Sequence, residues 1–384
     1  MFLRARYKIG RINIECVGAF LSNREMLMKI MFYINTISFG GAERVIVNLA
    51  KQFSKKGYEV IFVTTYLNDQ EYELPKEIQR EILLDRKNYG FIKKNFRCVK
   101  ELRKLIKIQK PDILISFMAE PNFRSIVSCL GTRTKTLISI RNDPNKEYGN
   151  ALFRFCAKYL YRFASGIVFQ TKEAQLWFPD KIRKKSKIIF NQVNESFFCQ
   201  DKPELNKDIV TVGRLVDQKN HALLIEAFAE IAEFTDENLI IYGDGDCREM
   251  LENLVDRLKL SDRVFLPGTI TDVANTIKTA KLFVLSSDYE GMPNALIEAM
   301  TLGLPCISTD CPCGGPRELF HNQQNGLLVP ICDKHMLAQK IMYLINDGAE
   351  RNKVAENARR ASDMFSPEIV FGNWEAYVNE IVDK

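Results

Sequence analysis

Short apolar runs alternate with segments of helical periodicity from residue 28 to the end of the chain. Apolar runs of this length indicate strands, and apolar residues spaced three and four positions apart predict the helices between them. Strands that alternate with helices are typical of parallel sheets with crossover helices, so the sequence predicts an α/β protein. The predicted strands are Ile30–Asn35, Val60–Thr64, Ile113–Phe117, Thr136–Ile140, Gly166–Phe169, Ile209–Val212, Leu239–Tyr242, Val264–Leu266, Leu282–Leu285 and Cys306–Ser308.

The alternation is interrupted once, by a polar stretch without periodicity at 196–207. A chain of 384 residues exceeds what one ordinary hydrophobic core holds. We therefore predict two α/β domains joined by this linker. The predicted domains are an N-terminal one at 28–195 and a C-terminal one at 208–366, followed by a last helix at 367–384.

Residues 1–27 have weak periodicity and precede the first predicted strand. The apolar run Cys16–Leu21 is too short for a signal peptide, and the charged pair Arg24-Glu25 lies directly after it. We interpret the segment as the product of an upstream start codon assigned in error; an ordered N-terminal extension is the alternative. No apolar run reaches the length of a spanning helix, so we expect a protein that is not integral to a membrane.

The segment Glu290-Gly-Met-Pro-Asn-Ala-Leu-Ile-Glu298 follows a predicted strand and opens a helical pattern. Pro293 suits the first turn of a helix, and Gly291 lets a ligand approach the backbone closely. The first N–H groups of a helix have no intrahelical acceptor and attract anions such as phosphate. The N–H groups predicted to bind the anion are those of Met292, Asn294 and Ala295.

Glu290 and Glu298 flank this predicted anion site. Because carboxylates do not bind phosphate, we expect each of them to bind neutral hydroxyl groups. A sugar on one side of a phosphate and a ribose on the other describe a nucleotide-sugar. The alternative is a surface helix with two solvated glutamates.

A second polar segment, Gly213-Arg-Leu-Val-Asp-Gln-Lys219, follows the predicted strand Ile209–Val212. Arg214 can bind a diphosphate through two parallel hydrogen bonds, and Lys219 supplies a point charge. Ligands of open parallel sheets bind at the carboxyl ends of the strands. We therefore predict that the two cations hold the diphosphate of the nucleotide-sugar, with Gly213 beside it.

Four segments of the chain carry a resemblance to a known family. They are Gly213-Arg214…Lys219, Glu290-x7-Glu298, Gly314-Gly315-Pro316-Arg317-Glu318 and Asn325-Gly-Leu-Leu-Val. Together they resemble the retaining family 4 glycosyltransferases of the GT-B fold, over residues 28–384. The Glu-Gly-Met-Pro-Asn form and the Cys311-Pro-Cys-Gly-Gly-Pro-Arg-Glu run resemble bacterial members that extend lipid-linked surface glycans.

The resemblance implies two Rossmann-like domains that face each other across a cleft. It implies a nucleotide-sugar site in the C-terminal domain, an acceptor site in the N-terminal domain, and a last helix that returns to the N-terminal domain. The implied reaction moves a hexose or N-acetylhexosamine to a lipid-diphosphate-linked glycan with retention of the anomeric configuration. By analogy with these relatives, UDP is our choice for the nucleotide of the donor.

The predicted catalytic residues are Arg214, Lys219 and Glu290. Breaking the anomeric bond leaves new negative charge on the diphosphate, which fixed cations and a helix N-terminus stabilise. We expect Glu290 to hold a hydroxyl of the transferred sugar and Glu298 to hold the ribose. Because no covalent nucleophile stands out, we favour attack on the same face, with the departing phosphate accepting the acceptor's proton. The two cations already neutralise a diphosphate, so we expect no metal ion and no cofactor, and we interpret Asp244-Gly-Asp246 as a turn.

Loops at the strand ends of the N-terminal domain should face the same cleft. Gly40-Gly41 follows the first strand and would let the backbone approach the donor diphosphate or the incoming acceptor. The loops 117–122 and 140–144 end two further strands. Some relatives carry a histidine where this chain has Ala119, and its three histidines all lie in the C-terminal half, so a mechanism with an N-domain histidine base is excluded. The candidates for acceptor or sugar contacts are Glu120, Arg141 and Asp143; ordinary turn residues are the alternative.

The charge of the chain is divided unevenly between its halves. Residues 1–200 contain 36 Lys and Arg against 18 Asp and Glu, whereas the remainder contains 18 against 30. A basic half joined to an acidic half predicts a polyanionic partner for one domain only.

The segment 93–110 has a helical pattern with lysines and arginines along one side, the basic stripe. We expect the apolar residues on the other side of this helix to pack onto the sheet; they are Phe96, Val99, Leu102 and Ile106. The basic face would rest on anionic lipid headgroups; an ordinary solvated helix face is the alternative. Nucleic acid is not expected as a partner, because we find neither exposed aromatics interleaved with the cations nor a recognised binding motif. The predicted basic stripe consists of Lys93, Arg97, Lys100, Lys104 and Lys107.

We therefore expect a cytoplasmic glycosyltransferase that associates peripherally with the inner face of the plasma membrane. The sequence alone leaves two other functions open. One is a nucleotide-sugar epimerase on the same scaffold, which would need no acceptor. The other is a non-catalytic, membrane-associated binding protein that uses the basic stripe.

Overall fold

The computed structural model of the chain describes residues 28–38, 40–85, 89–198, 206, 208–321 and 323–384. The predicted N-terminal extension at 1–27 and most of the predicted linker at 196–207 lie outside the described residues. The described residues form two parallel β-sheets with helices around them.

The first sheet has seven parallel strands in the order β3-β2-β1-β4-β5-β6-β7. Its five inner strands match the five predicted ones to within one residue. The sequence did not predict β3 or β7, because both are short edge strands with polar and half-buried residues and therefore lack an apolar run. The strands are β1 (Lys29–Ile34), β2 (Glu59–Thr64), β3 (Gln79–Ile82), β4 (Ile113–Phe117), β5 (Lys135–Ser139), β6 (Gly166–Phe169) and β7 (Ser186–Ile188).

The second sheet has six parallel strands in the order β10-β9-β8-β11-β12-β13. Five of them were predicted, and the short edge strand β13 was not. We call the first sheet with its helices the N-terminal domain and the second sheet with its helices the C-terminal domain. The strands are β8 (Asp208–Val212), β9 (Asn238–Tyr242), β10 (Val264–Gly268), β11 (Leu282–Leu285), β12 (Cys306–Thr309) and β13 (Leu327–Val329).

Helices connect the strands on both sheets and bury one apolar face each. The helices of the N-terminal domain are α1 (Gly41–Lys55), α2 (Phe91–Gln109), α3 (Ala119–Cys129), α4 (Pro144–Glu147), α5 (Ala151–Leu160), α6 (Lys172–Leu176) and α7 (Asp180–Arg183). Later in the chain come α8 (His221–Ala229), α9 (Arg248–Arg257), α10 (Val273–Ile277), α11 (Asn294–Thr301), α12 (Gly315–Phe320), α13 (Lys334–Asn346), α14 (Gly348–Ala361) and α15 (Pro367–Val382).

The last helix, α15, packs on the N-terminal domain although it comes after the C-terminal one. The indole of Trp374 stacks on Phe117 at the end of β4, with ring centroids 5.7 Å apart. The Tyr377 hydroxyl donates to the Lys185 carbonyl at 2.6 Å and accepts from the Ile167 backbone N–H at 3.1 Å. The two domains are thus joined twice by the chain, before β8 and through α15.

The α/β class with two Rossmann-like domains facing across a cleft is confirmed. Both sheets have the strand order of doubly wound folds, and residues after the carboxyl ends of their strands line one shared cavity. Within the described ranges, no helix is both long and apolar enough to cross a bilayer.

The predicted basic stripe lies on α2, and its five cations are exposed. Leu102 and Ile106 pack on the sheet as expected, and Val99 is half-buried. The prediction for Phe96 was wrong: its side chain is 71% exposed. At 100° per residue Phe96 lies beside the cations and not opposite them. The basic stripe therefore has an exposed aromatic neighbour. The lack of such a residue was one of the two reasons for not expecting nucleic acid as a partner.

Candidate active site

A cavity of about 720 Å³ lies between the carboxyl edges of the two sheets. Such crevices are the usual ligand sites of open parallel sheets. The N-terminal domain lines it with Gly40, Gly41, Glu43, Arg44, Met118, Arg141, Asn142, Gln170 and Asn191, among others. The C-terminal domain contributes Gly213, Arg214, Lys219, Glu290, Gly291, Met292, Pro293, Asn294 and Glu298, among others.

Lys219 and Arg214 reach the cavity from the loop after β8. Lys219 Nζ lies 2.5 Å from Glu290 Oε1, which also accepts a hydrogen bond from Ser287 Oγ at 2.8 Å. The Arg214 side chain is exposed, and it makes neither a hydrogen bond nor an ion pair with any residue that the structure describes. This loop thus brings to the cavity one cation paired with a carboxylate and one that forms no ion pair with a described residue.

The loop after β9 supports the loop that carries the two cations. Gly243 has φ +139°, and a Cβ atom there would overlap the Gly213 carbonyl oxygen. Glycine is needed at 243 because both its conformation and this close approach exclude a side chain. Asp244 accepts from Arg248 Nε at 3.0 Å. The Gly243–Gly245 turn therefore fixes the backbone beneath Arg214.

Helix α11 directs its N-terminus at the cavity. It begins at Asn294 with Pro293 as N-cap, so Pro293 directly precedes the first turn, in which the sequence placed it. Leu296 and Ile297 donate their N–H groups to the Pro293 carbonyl oxygen. The N–H groups of Met292, Asn294 and Ala295 have no acceptor among the described residues, so they are available to an anion as expected from helix geometry.

Gly291 has a different neighbour from the one predicted. A Cβ atom at this position would lie 2.6 Å from the Arg141 carbonyl oxygen, across the domain interface. The absence of a side chain at Gly291 therefore accommodates the backbone of the N-terminal domain. Gly41 has a similar place, since a Cβ atom there would lie 3.1 Å from Asn294 Nδ2. The binding of donor by these glycines stays a prediction.

Glu298 is paired across the cleft with a residue that the sequence did not single out. Arg44, in the first turn of α1, places Nη2 2.5 Å from Glu298 Oε1. Burial raises the pKa of Glu298, and the Arg44 guanidinium counteracts this shift. The sequence places Arg44 close to the Gly40-Gly41 turn. It could not show that Arg44 pairs with Glu298, which lies 254 residues away.

Asn191, another residue missed in the sequence, joins the two sides of the cavity. Its Oδ1 accepts from Arg141 Nη2 and from Gln170 Nε2, both at 2.6 Å. Its Nδ2 donates to Asn294 Oδ1, also at 2.6 Å. Asn191 lies three residues after β7, a strand that the sequence did not predict, so no local signal marked it. The amide network holds Arg141 in place beside the cavity.

Arg141 is a buried cation that pairs with no carboxylate in the part of the chain that the structure describes. Its side chain donates to Asn191 and, at 3.4 Å, to Ser139 Oγ, and it lies 4.4 Å from the centroid of the Phe117 ring. Burial lowers the pKa of Arg141 to about 9, so the group is still protonated at neutral pH. A buried charge whose partners are all neutral is costly, and an anionic ligand in the cavity would offset that cost.

The structure does not bring Glu120 and Asp143 into the cavity, and both have other partners. Burial pushes the pKa of Glu120 upward, but the charges of Arg124 and Lys94 outweigh it, so the pKa is lowered. The Asp143 carboxylate accepts from the Asn145 N–H and caps α4. The Glu120 side chain turns towards α2, and Asp143 serves as an N-cap, a position that Asp favours. Contacts of either residue with the acceptor or the sugar stay a prediction.

A half-buried carboxylate, Glu147, underlies the N-terminus of α3. Its Oε1 accepts from the Ala119 N–H at 2.8 Å, whereas its Oε2 is shielded from solvent and has no hydrogen-bond partner among the described residues. Burial raises the pKa of Glu147 from 4.5 to about 7. A carboxyl group whose pKa is higher in the folded state stabilises the fold at low pH, and this stabilisation is lost as the pH rises through 7.

We therefore expect Glu147→Gln to change how stability depends on pH. Between pH 5 and pH 8 the wild-type protein should lose about 2.5 kcal/mol of unfolding free energy that the variant retains. Urea unfolding at the two pH values measures the difference. Parallel losses in both proteins would contradict the assignment of this pH dependence to Glu147.

Two family models match the chain. The model for glycosyl transferases group 1 matches residues 192–361, and the model for glycosyltransferase family 4 matches residues 39–197. Between them they cover both described domains and the cavity that separates them.

Two similar curated proteins come from Campylobacter jejuni. One is the GalNAc-α-(1→4)-GalNAc-α-(1→3)-diNAcBac-PP-undecaprenol α-1,4-N-acetyl-D-galactosaminyltransferase, 28% identical over 363 residues, which are 92% of this chain and 99% of that protein. The other is the N-acetylgalactosamine-N,N'-diacetylbacillosaminyl-diphospho-undecaprenol 4-α-N-acetylgalactosaminyltransferase, 28% identical over 361 residues, 88% of this chain and 96% of that protein.

Among solved structures, Anabaena Alr3699/HepE in complex with UDP superposes with a TM-score of 0.77 at 20% identity, over 92% of this chain and 100% of that one. At this identity the similarity establishes the fold alone. The two family models together span residues 39–361, and the chain therefore belongs to the family 4 glycosyltransferases of GT-B fold and is a transferase.

Proposed function

We propose that this protein transfers a hexose or N-acetylhexosamine from a UDP-sugar to a lipid-diphosphate-linked glycan, with retention of the anomeric configuration. One observation supports the proposal above the others. Arg214, Lys219, Arg141 and the free N–H groups of α11 converge on a single cavity. The charge of a diphosphate would be matched there from both domains.

Different residues would bind different parts of the donor. Arg214 and the N-terminus of α11 bind the diphosphate, and Lys219 reaches it from its place against Glu290. Glu290, held by Lys219 and Ser287, orients a hydroxyl of the sugar. Glu298 accepts hydrogen bonds from the ribose on the side of the cleft where Arg44 lies.

The chemical step is determined by where charge develops. The bond between the anomeric carbon and the phosphate oxygen breaks, and the bonding pair stays on the phosphate. The acceptor hydroxyl attacks the same face, and its proton passes to that phosphate oxygen. Fixed cations stabilise the departing diphosphate, and Arg141 supplies positive charge from the N-terminal domain. The step requires no covalent sugar intermediate, and we propose that it runs without a metal ion or cofactor.

The acceptor is proposed from the relatives and from charge. Both Campylobacter relatives are named for glycans on undecaprenol diphosphate. An acceptor of this class is embedded in a membrane and carries its own diphosphate. We propose that the enzyme works on the inner face of the plasma membrane, where the basic stripe of α2 contacts anionic headgroups.

The donor part of the proposal is tested by thermal unfolding with UDP, GDP, ADP or dTDP in the presence of EDTA. A ligand that binds only the folded protein raises the unfolding temperature. We expect UDP to raise it and the other three to raise it less. No response to any of the four nucleotides would contradict the donor site, and a response that EDTA abolishes would contradict independence from metal.

In the same assay we expect Glu298→Gln to weaken UDP binding by about 10–100-fold, the loss expected for hydrogen bonds to a charged group. Turnover at saturating donor should change far less, because the ribose does not react. Glu237→Gln is the matched control, since Glu237 is equally buried and pairs with Lys281 at the opposite edge of the second sheet. Equal losses of UDP affinity in the two variants would contradict the role of Glu298.

A further inference from the structure

One side of the exposed surface of α5 is apolar. Leu152, Phe155 and Tyr159 are exposed and succeed one another along one side of the helix. The rings of Phe155 and Tyr159 stack with centroids 5.9 Å apart. A surface helix normally presents polar residues outward, so a stripe of large exposed apolar side chains indicates an interaction surface.

The first turns of α2 extend this surface. Phe91, Ile92 and Phe96 are exposed there, Ile92 to 84%. The Phe91 ring meets Phe153 of α5 edge to face, with centroids 6.1 Å apart, so the two exposed groups adjoin. We call the six side chains Phe91, Ile92, Phe96, Leu152, Phe155 and Tyr159 the apolar rim.

Positive charge surrounds the apolar rim. Helix α2 carries seven lysines and arginines against one glutamate, and residues 151–163 carry three cations and no carboxylate. The Arg162 guanidinium lies 3.5 Å from the centroid of the Tyr159 ring. Apolar side chains between cations match a bilayer with anionic headgroups. A second copy of this chain would present the same charge and be repelled.

The apolar rim lies beside the acceptor side of the cleft. Lys94, in the first turn of α2, pairs with Glu120 at the start of α3. The residue before α3 is Met118, which lines the cavity. A bilayer on the rim would therefore meet the molecule next to the opening through which a membrane-embedded acceptor enters.

We propose that the apolar rim inserts into the acyl region of an anionic phospholipid bilayer while the cations of α2 and α5 contact the headgroups. The inference deepens the proposed function, on which it rests for the membrane-embedded acceptor. It assigns membrane binding to hydrophobic insertion in addition to electrostatic attraction. High salt distinguishes the two contributions, because it screens charges but does not weaken the burial of apolar side chains.

The test is co-sedimentation of the full chain with vesicles of equal parts phosphatidylglycerol and phosphatidylcholine, at low salt and at about 0.5 M NaCl, where the Debye length is a few ångströms. We expect the wild type to stay partly bound at high salt. Two double variants should each reduce this salt-resistant binding by about tenfold or more, because each removes apolar area from the acyl region: Ile92→Ser/Phe96→Ser and Leu152→Ser/Phe155→Ser. Phe234→Ser is the matched control, because Phe234 is 74% exposed on the C-terminal domain.

Three results would overturn the proposal: complete release of the wild type by salt, unchanged binding in both double variants, or a wild-type dimer that the double variants abolish. The last would make a second copy the occupant of the rim. Thermal stabilisation by UDP, measured on the same samples, keeps the two proposals apart. Salt-resistant vesicle binding without a response to any nucleotide would contradict the donor site and leave insertion intact.

Discussion

Replacing Lys219 with alanine should lower turnover by about 10²–10³-fold, the scale of removing one preorganised electrostatic contact to a transition state. Lys219 is held against Glu290 in a loop that Gly243 supports from below. Its charge is therefore in place before the diphosphate departs and needs little reorganisation. The measurement is the release of UDP at saturating donor, with the acceptor that supports wild-type turnover.

The control for Lys219→Ala is Lys281→Ala. Lys281 and Glu237 form a pair of matching burial, with side chains 19% and 6% exposed against 17% and 8% for Lys219 and Glu290. Each substitution leaves a buried glutamate without its cation, so each should cost comparable stability. Only Lys219→Ala should reduce turnover. Near-normal turnover in Lys219→Ala would refute the proposed stabilisation of the diphosphate, and an equal loss in Lys281→Ala would assign the effect to stability.

The inner strands and the motifs after them could be predicted from the sequence because the determining interactions are local. A strand buried on both faces is mostly or wholly apolar, as Leu282–Leu285 is, and its polar successor lies at the carboxyl edge of the sheet. This reasoning placed Gly213, Arg214 and Lys219 on one side of the cleft and Arg141 on the other, and the structure brings all four to one cavity. Edge strands such as β3 were missed because they bury too little to need an apolar run.

Pairings between distant segments could not be predicted. Arg44 meets Glu298, and Asn191 meets Asn294, only because the two domains close on each other. The local sequence around Glu290 and Glu298 does not show that each of them pairs with a cation from a distant segment. Because Glu298 already has Arg44 as its partner, a ribose bound by Glu298 as proposed would share or displace that contact.

Side-chain direction was the other limit. Helical spacing located the basic stripe of α2 correctly, and it also puts Phe96 beside the cations, so the assignment of Phe96 to the buried side misread the spacing. Glu120 comes after a strand as a cleft residue should, but its position in the first turn of α3 turns the carboxylate towards Lys94 and Arg124. Near the boundary of a helical face, the neighbouring elements decide which way a side chain points, and these are not encoded locally.

Arg141→Met should give opposite changes in stability and activity. The variant removes a buried charge that has only neutral partners, at the cost of the hydrogen bonds to Asn191 and Ser139. Replacing buried charged groups by apolar ones of similar size often stabilises a protein by about 1–4 kcal/mol, and we expect a gain at the lower end of that range. Turnover should fall by about 10²-fold, because a cation at the reacting centre is lost.

Arg124→Met is the contrasting variant, measured by urea unfolding and UDP release beside Arg141→Met. Arg124 is as deeply buried, but it pairs with Glu120 and donates to Asn95 and Asn35, both at 2.7 Å. Its loss strands these partners and should destabilise the fold by about 3–5 kcal/mol. If Arg141→Met were destabilised like Arg124→Met, Arg141 would be a structural residue. A stabilised Arg141→Met variant with full turnover would show that Arg141 takes no part in the reaction. A stabilised but inactive variant is the expected result, because the charge of Arg141 then serves an anionic substrate in the cavity and lowers the stability of the fold.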